Sequence, residues 1–466
     1  MTDDAKTPTP NSGERCPGVS WDDYADADTH PVPEFLREDH YRSLGSEAID
    51  ASRYTSAEFF QRELEHMWPN VWQFAAREEE MPDAGDTVVY ENAGRSYVLA
   101  RQADGSVRAL HNVCLHRGRK LRDVGGNVGE LRCPFHGFSW KLDGRIKEIP
   151  CRWDFPHLKD AAMSLPEAEV ARWQGYIFVR ENPGGPTIEE YLAPLPSHNS
   201  RWAHGECVTS VWAAKLVRAN WKVAAEAFME AWHSEATHRQ IVDFTGDANT
   251  KYNVYGDHVN LALTPFAVPS PRLGEKRLDE RGVLRQMLKY NGRSAATGMS
   301  IDLKPGQSAR QGLAEANRIR LGAADRRDYS QVSDAEMVDA ITYNVFPNFS
   351  PWGGFPPNTL FRWRPWPDQN TTLMEVRRLT RVPLGAERPR APSMRMLGAD
   401  EPWASVQEMA VLGSVIDQDF RNLPKIQEGL LASKTGKVQL GNYQEIRIRQ
   451  FQTTLDKYLN GAMTKR

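Results

Sequence analysis

The 466-residue chain lacks any run of about 20 consecutive apolar residues, the length that a membrane-spanning helix requires. Its polar N-terminus, MTDDAKTPTPNSGE, also lacks the basic and then apolar pattern of a secretory signal. We therefore expect a cytoplasmic protein with no membrane partner. The 58 Lys and Arg do not outnumber the 61 Asp and Glu, so no basic surface for nucleic acid is expected.

Cysteine is scarce as well. Five cysteines, an odd number spread over a long chain, argue against a disulfide framework. The chain also has no Gly-rich phosphate loop and no GxGxxG fingerprint. Nicotinamide and flavin are therefore expected on a separate reductase, so that NAD(P)H would act on this chain only indirectly.

Two of the cysteines stand next to histidines. Cys114 and His116 form a Cys-x-His pair, sixteen residues intervene, and Cys133 and His136 form a Cys-x-x-His pair. Four soft or borderline ligands on two Gly-containing turns predict one metal site. Two kinds of site use this set: a structural zinc site, and a Rieske [2Fe-2S] centre in which two histidines replace two thiolates on one iron.

The flanking segments favour a small antiparallel domain. VYENAGRSYVLARQADGSVRALHNVC and FSWKLDGRIKEIPC contain short strand-like runs, separated by the turns Asp104-Gly105 and Asp143-Gly144. An Asp-Gly pair between such runs is a hairpin signal. Loops at the ends of hairpins would then present the four ligands.

A second group of metal-ligating residues occurs in NWKVAAEAFMEAWHSEATH, from Asn220 to His238. Its composition predicts a helix on which Glu226, Glu230 and His233 share one stripe. His238 would lie about 140° further round an ideal helix, so we expect a break between Ser234 and Thr237 if both histidines bind one metal.

Two histidines need an anionic partner to form the 2-His-1-carboxylate triad that leaves open positions on Fe(II). The late segment WASVQEMAVLGSVIDQDFRNLPKIQEGLL has helical periodicity, with Asp419 on its apolar side and Asp417 on the opposite face. A buried carboxylate is costly unless a cation offsets it, which favours Asp419 as the ligand. The alternative is that these histidines and Asp419 are ordinary surface or core residues.

Taken together, the motifs resemble those of a known family. NVCLHRGRKL followed by CPFHGFSWKLDGRI is similar to the two cluster-binding loops of Rieske non-haem iron oxygenases, and NWK, His-x4-His and a distant Gln-Asp pair are similar to their mononuclear-iron signature. The resemblance is to the large (alpha) catalytic subunit of aromatic ring-hydroxylating enzymes. It implies that Cys114 and Cys133 ligate one iron of the cluster, and His116 and His136 the other.

The resemblance also assigns roles around the second metal. It implies that His233, His238 and Asp419 bind catalytic Fe(II), and that Glu230 bridges His233 to His136 of a neighbouring subunit, where most relatives have Asp. Glu226 would support this network. Some relatives that oxidise quaternary ammonium compounds also have Glu at the bridging position, which bears on the substrate class.

The implied fold is α+β: a Rieske [2Fe-2S] β domain and a catalytic domain with a curved antiparallel sheet surrounded by helices, of the helix-grip or START-like type. We predict a flexible arm over residues 1–50, a helical lead-in packing on the catalytic domain over 51–69, the Rieske domain over 70–182 and the catalytic domain over 183–466. Residues 271–330, with a basic excess and few apolar runs, are predicted to be a lid or insertion, and SDAE (Ser333 to Glu336) is predicted to cap a helix.

Five apolar residues are candidates for the substrate pocket, although each is equally typical of ordinary core. They are Phe228, Leu261, Phe266, Phe346 and Phe349.

The resemblance implies an oxidoreductase, the terminal oxygenase component that uses O2 and electrons from a ferredoxin or reductase to hydroxylate an aromatic or other hydrophobic substrate. It also implies a trimer, with or without small β subunits. A Rieske monooxygenase or demethylase, acting on an aromatic ether or a quaternary ammonium compound, is the nearest alternative. A plain electron-transfer or zinc-stabilised binding protein is a third, which would need only the first metal site.

Overall fold

A computed structural model describes residues 15–290, 300–355, 358–409 and 411–463 of the chain. Parts of the predicted arm (residues 1–14) and of the predicted lid (residues 291–299) lie outside these ranges. Within them, no helix combines the length and the apolar character that crossing a bilayer would demand.

The segment before the first domain is packed against the rest of the protein. The indole of Trp21 donates a hydrogen bond to Asp339 (2.9 Å), and the backbone N–H of Thr29 donates to Asp334 (2.9 Å). The elements of this segment are α1 (Trp21–Asp26), α2 (Glu34–Arg37), β1 (Ile49–Asp50), α3 (Ser52–Thr55) and α4 (Ala57–Arg62). The described part of the arm therefore lies along the second domain, and the domain boundaries themselves stay a prediction.

The first domain consists of two antiparallel sheets. Its strands are β2 (Gln73–Arg77), β3 (Asp86–Asn92), β4 (Arg95–Arg101), β5 (Val107–His111), β6 (Gly126–Asn127), β7 (Leu131–Arg132), β8 (Ser139–Trp140), β9 (Ile146–Glu148), β10 (Glu167–Trp173) and β11 (Tyr176–Arg180). Seven strands pair in the order β2-β11-β10-β5-β4-β3-β6, and β7-β8-β9 form the smaller sheet. Gly105 (φ 80°) turns the chain between β4 and β5, and Gly144 (φ 84°) turns it between β8 and β9, which confirms both Asp-Gly hairpins.

The second domain combines a larger sheet with helices. Its strands are β12 (Cys207–Val217), β13 (Lys251–Tyr255), β14 (Val259–Thr264), β15 (Ala340–Val345), β16 (Ser350–Pro351), β17 (Asn358–Pro365), β18 (Thr372–Arg381), β19 (Arg395–Met396) and β20 (Lys437–Val438). Its helices are α5 (Ile188–Leu192), α6 (Leu195–Asn199), α7 (Trp221–Glu226), α8 (Ser234–Thr237), α9 (Glu280–Tyr290), α10 (Ala309–Asp325), α11 (Asp334–Val338), α12 (Val411–Ala432) and α13 (Ile446–Leu459).

The strands of this domain form a curled antiparallel surface. Strands β13-β14-β15 pair with one another, and β16-β17-β18-β12 pair in a second group that β19 extends in parallel. A bridge between Thr342 and Trp352 connects the two groups. Helices α7, α12 and α13 contribute Trp221, Ile416 and Phe451 to the core on this sheet. The predicted α+β fold is therefore confirmed.

The described residues of the predicted lid, 271–290 and 300–330, form a helical layer over the sheet. Val283 and Met287 of α9 and Leu313 of α10 share an apolar cluster with Phe244. The predicted capping box that begins α11 is confirmed, because Ser333 and Glu336 each accept a hydrogen bond from the other's backbone N–H. A lid role for this layer stays a prediction.

One buried charge network joins the two domains. Glu375 of β18 is fully buried and accepts hydrogen bonds from Arg362 (2.6 and 3.0 Å) and Arg364 (2.6 Å). Arg362 also donates to the carbonyls of Phe74 (3.1 Å) and Ala75 (2.5 Å) in the first domain. Burial acts to raise the pKa of Glu375, yet the two guanidinium groups hold it far below its usual range.

We expect Glu375→Gln to lower the apparent free energy of unfolding by about 3–5 kcal/mol, because it leaves two buried guanidinium groups without an anion. Chemical denaturation followed by circular dichroism measures this change. The matched control is Glu428→Gln, whose carboxylate pairs with Lys425 on the exposed face of α12 and should matter by at most about 1 kcal/mol. Equal effects of the two substitutions would contradict the structural importance of the network.

Candidate metal centres

Two matching turns at one end of the first domain carry the Cys and His pairs. In each turn the cysteine carbonyl accepts a hydrogen bond from a glycine four residues later: Gly118 to Cys114 (2.9 Å) and Gly137 to Cys133 (3.0 Å). Both glycines have left-handed φ angles, 78° and 82°, which a residue with a Cβ adopts only at a cost. The glycines therefore shape both turns, and the turns follow β5 and β7.

The four side chains of these turns come together. Cys114 and Cys133 are buried, whereas His116 is partly exposed and His136 is exposed, and the two imidazole rings are 4.8 Å apart. Burial raises the pKa of the Cys114 thiol, and the neighbouring Cys133 raises it further. Two sulfur and two nitrogen donors in one place fit the ligand set of either a Rieske cluster or a tetrahedral zinc site.

One buried ring nitrogen of this site lacks a hydrogen-bond partner among the described residues. It is Nδ1 of His116. The ring is held by stacking on Phe138, with centroids 4.7 Å apart and planes 10° apart. Because buried polar atoms are normally paired, this nitrogen fits a bond to a metal ion.

The second centre lies in the second domain, where three ligating atoms form a small triangle. Nε2 of His233 lies 3.1 Å from Nε2 of His238, and Oδ1 of Asp419 lies 3.0 Å from the His238 nitrogen and 3.6 Å from the His233 nitrogen. Ligands that bind an ion at about 2.1 Å and at right angles are about 3 Å apart. The three atoms are therefore spaced as neighbouring ligands of one ion, on one side of it.

Each histidine is oriented by a different acceptor. Nδ1 of His233 donates to the Glu230 carboxylate (2.5 Å), and Nδ1 of His238 donates to the amide oxygen of Gln418 (2.8 Å), which Gln240 also contacts (2.7 Å). These bonds place the protons on Nδ1 and leave the Nε2 lone pairs free for a metal. One imidazole thus has a charged partner and the other a neutral one.

The charges of this site favour a cation. Burial acts to lower the pKa of His233, but Glu230 and Asp419 outweigh it and raise the pKa to about 10. Burial acts to raise the pKa of Asp419, and the two histidines hold it below its usual range. Two nearly buried carboxylates beside two imidazoles therefore favour a positive charge at the site, which either a proton or a metal ion can supply.

The local backbone differs from the predicted long helix. Helix α7 ends at Glu226, residues 227–233 form turns, and α8 occupies only Ser234–Thr237. The predicted break between Ser234 and Thr237 is therefore wrong, because the helix has already ended before His233. His238 follows α8 with non-helical angles (φ −121°, ψ 50°), which lets both imidazoles face Asp419.

Because α7 ends at Glu226, this residue does not share a helical face with Glu230 and His233, contrary to the prediction. Its carboxylate accepts hydrogen bonds from the hydroxyl of Tyr54 (2.9 Å) and the amide of Gln452 (2.5 Å), and it makes no described bond to His233. Burial raises the pKa of Glu226 to about 7. A supporting role for Glu226 would have to act through the packing of α7 rather than through the histidine.

Helix α12 places its two acids as the sequence predicted. Asp419 is 6% exposed and faces the histidines. Asp417 points elsewhere and accepts hydrogen bonds from the backbone N–H groups of Trp403 (2.8 Å) and Ala404 (3.1 Å). The two acids therefore have different tasks, although they are only two residues apart.

A cavity of about 180 Å³ adjoins the triad. Its wall is mostly apolar and aromatic, as in small-molecule sites. The rings and aliphatic side chains on it are Phe228, Ile241, Phe244, Phe266, Tyr290, Trp352, Phe361, Leu412, Val415 and Ile416. The predicted candidates Phe228 and Phe266 are among them.

The other three pocket candidates lie in the core instead. Side chains alternate along a strand, so Ala262 and Thr264 of β14 face the cavity while Leu261 faces the opposite side. Phe346 packs on Phe451, and Phe349 packs on Phe178 near the first domain. These three residues do not contact the cavity.

Several wall residues were not predicted. The sequence signal for Phe361 and Thr359 was the period-two pattern of β17, and Arg447 was hidden among the polar residues of α13. The wall also draws on Phe244 and Trp352, which lie in irregular segments where the sequence carries no periodic signal.

Comparison with known families follows the same division. The family model described as Rieske [2Fe-2S] domain matches residues 71–159, and the model described as Ring hydroxylating alpha subunit (catalytic domain) matches residues 199–461, more than half of the chain. The two matches occur in the order that the sequence motifs implied, which confirms the resemblance. The first match also favours a [2Fe-2S] cluster over zinc at Cys114, His116, Cys133 and His136.

Individual relatives are more distant. The chain is 28% identical to the carnitine monooxygenase oxygenase subunit of Escherichia coli (strain K12) over 44% of its length, and 31% identical to the large oxygenase component of the naphthalene 1,2-dioxygenase system of Pseudomonas aeruginosa over 52%. These alignments span only 56% and 51% of the two relatives. The structure of a quaternary ammonium Rieske monooxygenase matches with a TM-score of 0.64 at 17% identity, covering 89% of this chain and 96% of that one, which shows a shared fold.

We expect Gln418→Leu to weaken metal binding at the triad by about 10- to 100-fold, because His238 loses the acceptor that fixes its proton on Nδ1. Iron retention during titration with a chelator measures the change. Asn422→Leu, one turn further along α12, is the control, since its amide contacts only the Thr237 hydroxyl (3.3 Å) among the described side chains. Unchanged iron retention in Gln418→Leu would contradict the orienting role.

Proposed function

Because the chain belongs to the family of ring-hydroxylating alpha subunits and carries a Rieske [2Fe-2S] domain, we propose that it is the terminal oxygenase component of an electron-transfer system. It would use O2 and electrons from a separate ferredoxin or reductase to hydroxylate an aromatic or other hydrophobic substrate. The observation that carries this proposal is the triad of His233, His238 and Asp419 on the wall of an apolar cavity.

The ligand sets divide between the two domains. Cys114 and Cys133 would hold one iron of the cluster and His116 and His136 the other, while His233, His238 and Asp419 would hold Fe(II). When bound, these groups supply O2 activation beside the substrate and a store of electrons that come ultimately from NAD(P)H. Three protein ligands would leave further positions of the ion for O2, and the cavity beside the triad would hold the substrate.

The cavity wall would orient the substrate and exclude water. The ring of Phe228 is tilted against that of Phe361 (centroids 4.8 Å apart), and Trp352, also on the wall, lies beside Phe361 (6.3 Å). This continuous aromatic surface suits a flat or branched apolar group. Desolvation of the cavity would also strengthen the electrostatic interactions at the triad.

Glu230 is the residue best placed to connect the triad with a neighbouring subunit. Its carboxylate bonds both the backbone N–H (3.1 Å) and Nδ1 (2.5 Å) of His233. It also lines a second, more open depression of about 240 Å³ on the other side of His233. We propose that His136 of the adjacent protomer approaches Glu230 there, in a homotrimer with or without small subunits.

The second candidate function is oxygenation of a quaternary ammonium compound by the same machinery, as a monooxygenase or demethylase. Two observations favour it: Glu rather than Asp at position 230, and an aromatic wall that would attract a cation through its ring faces. Product analysis under labelled O2 separates the two. Two labelled atoms in a cis-diol indicate dioxygenation, and one labelled atom with release of an aldehyde indicates demethylation.

We expect Asp419→Ala to lose the mononuclear iron and all detectable product while the visible and electron paramagnetic resonance spectra of the cluster stay unchanged. The reason is that Asp419 is the single carboxylate within reach of both imidazoles in the described structure. Asp417→Asn is the matched control and should retain iron and turnover. A plain electron-transfer or zinc-stabilised protein would instead be indifferent to Asp419→Ala.

We expect Glu230→Gln to load both metals but to slow reoxidation of the reduced cluster by orders of magnitude in single-turnover experiments with substrate and O2. The amide keeps an acceptor for His233 but removes the charge that a bridge between two imidazoles would need. Glu235→Gln serves as the control, because that carboxylate pairs with Arg272 (2.7 Å) rather than with an imidazole. Normal kinetics in Glu230→Gln would remove the bridging role.

A further inference from the structure

Arg447 of α13 is a buried cation on the wall of the main cavity. Only 1% of its surface is exposed. Its Nε donates to the amide oxygen of Asn260 (2.5 Å), and Nη1 donates to the hydroxyl of Thr342 (3.2 Å). Both acceptors are neutral, and Nη2 has no hydrogen-bond partner among the described residues.

Several other buried arginines of this domain are paired with carboxylates. Arg310 pairs with Asp28 (3.1 Å) and with Asp339, and Arg362 pairs with Glu375 (2.6 Å). No carboxylate of the described structure lies within ion-pair distance of Arg447. A buried charge without a partner is costly, so Arg447 has an unmet requirement for an anion.

The other polar groups of the cavity do not meet this requirement. Glu230 and Asp419 are the acids on the wall, and both are engaged with the metal-site histidines. Burial lowers the pKa of Arg447 to about 10, which leaves the guanidinium charged at neutral pH. The hydroxyl of Thr245 is a second buried wall group without a partner, and it offers a further donor.

We propose that the substrate carries a carboxylate, which the free Nη2 of Arg447 binds inside the cavity while the apolar part of the molecule faces the triad. This inference rests on the proposed function, because it concerns the occupant of the same cavity. Nη2 carries two N–H donors, and a hydrogen bond from a charged donor to a carboxylate is strong in a site shielded from water. Arg447 is thus a specificity-determining residue for either substrate class considered above.

The test is a binding measurement on the iron-loaded holoenzyme, by calorimetry under anaerobic conditions without reductant. The probes are matched pairs: benzoate and benzamide, phenylacetate and phenylacetamide, and glycine betaine and choline for the quaternary ammonium class. We expect the wild-type protein to bind at least one acid ten-fold or more tightly than its uncharged or cationic counterpart. Arg447→Met should abolish that preference by weakening binding of the acid alone, and Arg447→Lys should restore part of it.

The matched control is Arg449→Met. Arg449 is also buried on the same helix, but it donates to the carbonyls of Glu47 (3.0 Å) and Leu440 (2.5 Å) and does not line the cavity. This variant should keep the preference for the acid. Iron retention at the triad reports whether the second domain of each variant has folded, and the cluster spectrum reports the same for the first domain.

Two results would overturn the inference: a wild-type protein that shows no preference for an acid in any pair, or an Arg447→Met protein that keeps the preference. The first result is measured on the wild-type protein, so the inference can be refuted even if Arg447→Met does not fold. Failure of the proposed function is distinguishable, because it would appear as absent O2-dependent product formation while acid binding stays intact. Failure of this inference alone would leave iron loading and oxygen consumption unaffected.

Discussion

The carboxylates of Asp419 and Glu230 lie against the imidazoles of His233 and His238, and all of these side chains except that of His233 are nearly buried. Such a group of charges is stable only if a positive charge stays among them. Helix α12 supplies one carboxylate from the late part of the chain, and the turns after α7 supply the other together with His233. Folding of these distant segments and loading of a metal are thereby coupled.

The two metal sites were predictable to different extents for a physical reason. The ligand turns of the first domain are local, since each pair is separated by one or two residues and shaped by its own glycine. Spacing alone therefore predicted a metal site there, and the family resemblance decided between zinc and a [2Fe-2S] cluster. The triad is nonlocal. The sequence indicated the members of the triad, and apolar periodicity predicted the side of α12 that carries Asp419. The sequence did not predict that α7 ends at Glu226, because the contacts of Glu226 with Tyr54 and Gln452 outweigh helix propensity there.

The cavity was the least predictable part. Which face of β14 points inward depends on the partner strands, and an error of one residue exchanges Leu261 for Ala262. Phe346 and Phe349 are aromatic residues of the kind that pockets use, yet they complete the core between the domains. Arg447 carried no signal of its own in the sequence, because a charged residue in an amphipathic helix usually faces solvent, and only its burial sets it apart.

Asp339 connects the N-terminal segment, at Trp21, to the second domain. One of its carboxylate oxygens accepts from the indole of Trp21, the other accepts from the backbone N–H of Phe266 in the cavity wall (3.1 Å), and Arg310 of α10 completes the cluster. The segment around Trp21 thus helps to hold the cavity wall in place through Asp339. A shortened protein that keeps only the two domains, a common step in producing samples, would lose the bond between Trp21 and Asp339. The cavity wall at Phe266 would then be less firmly held.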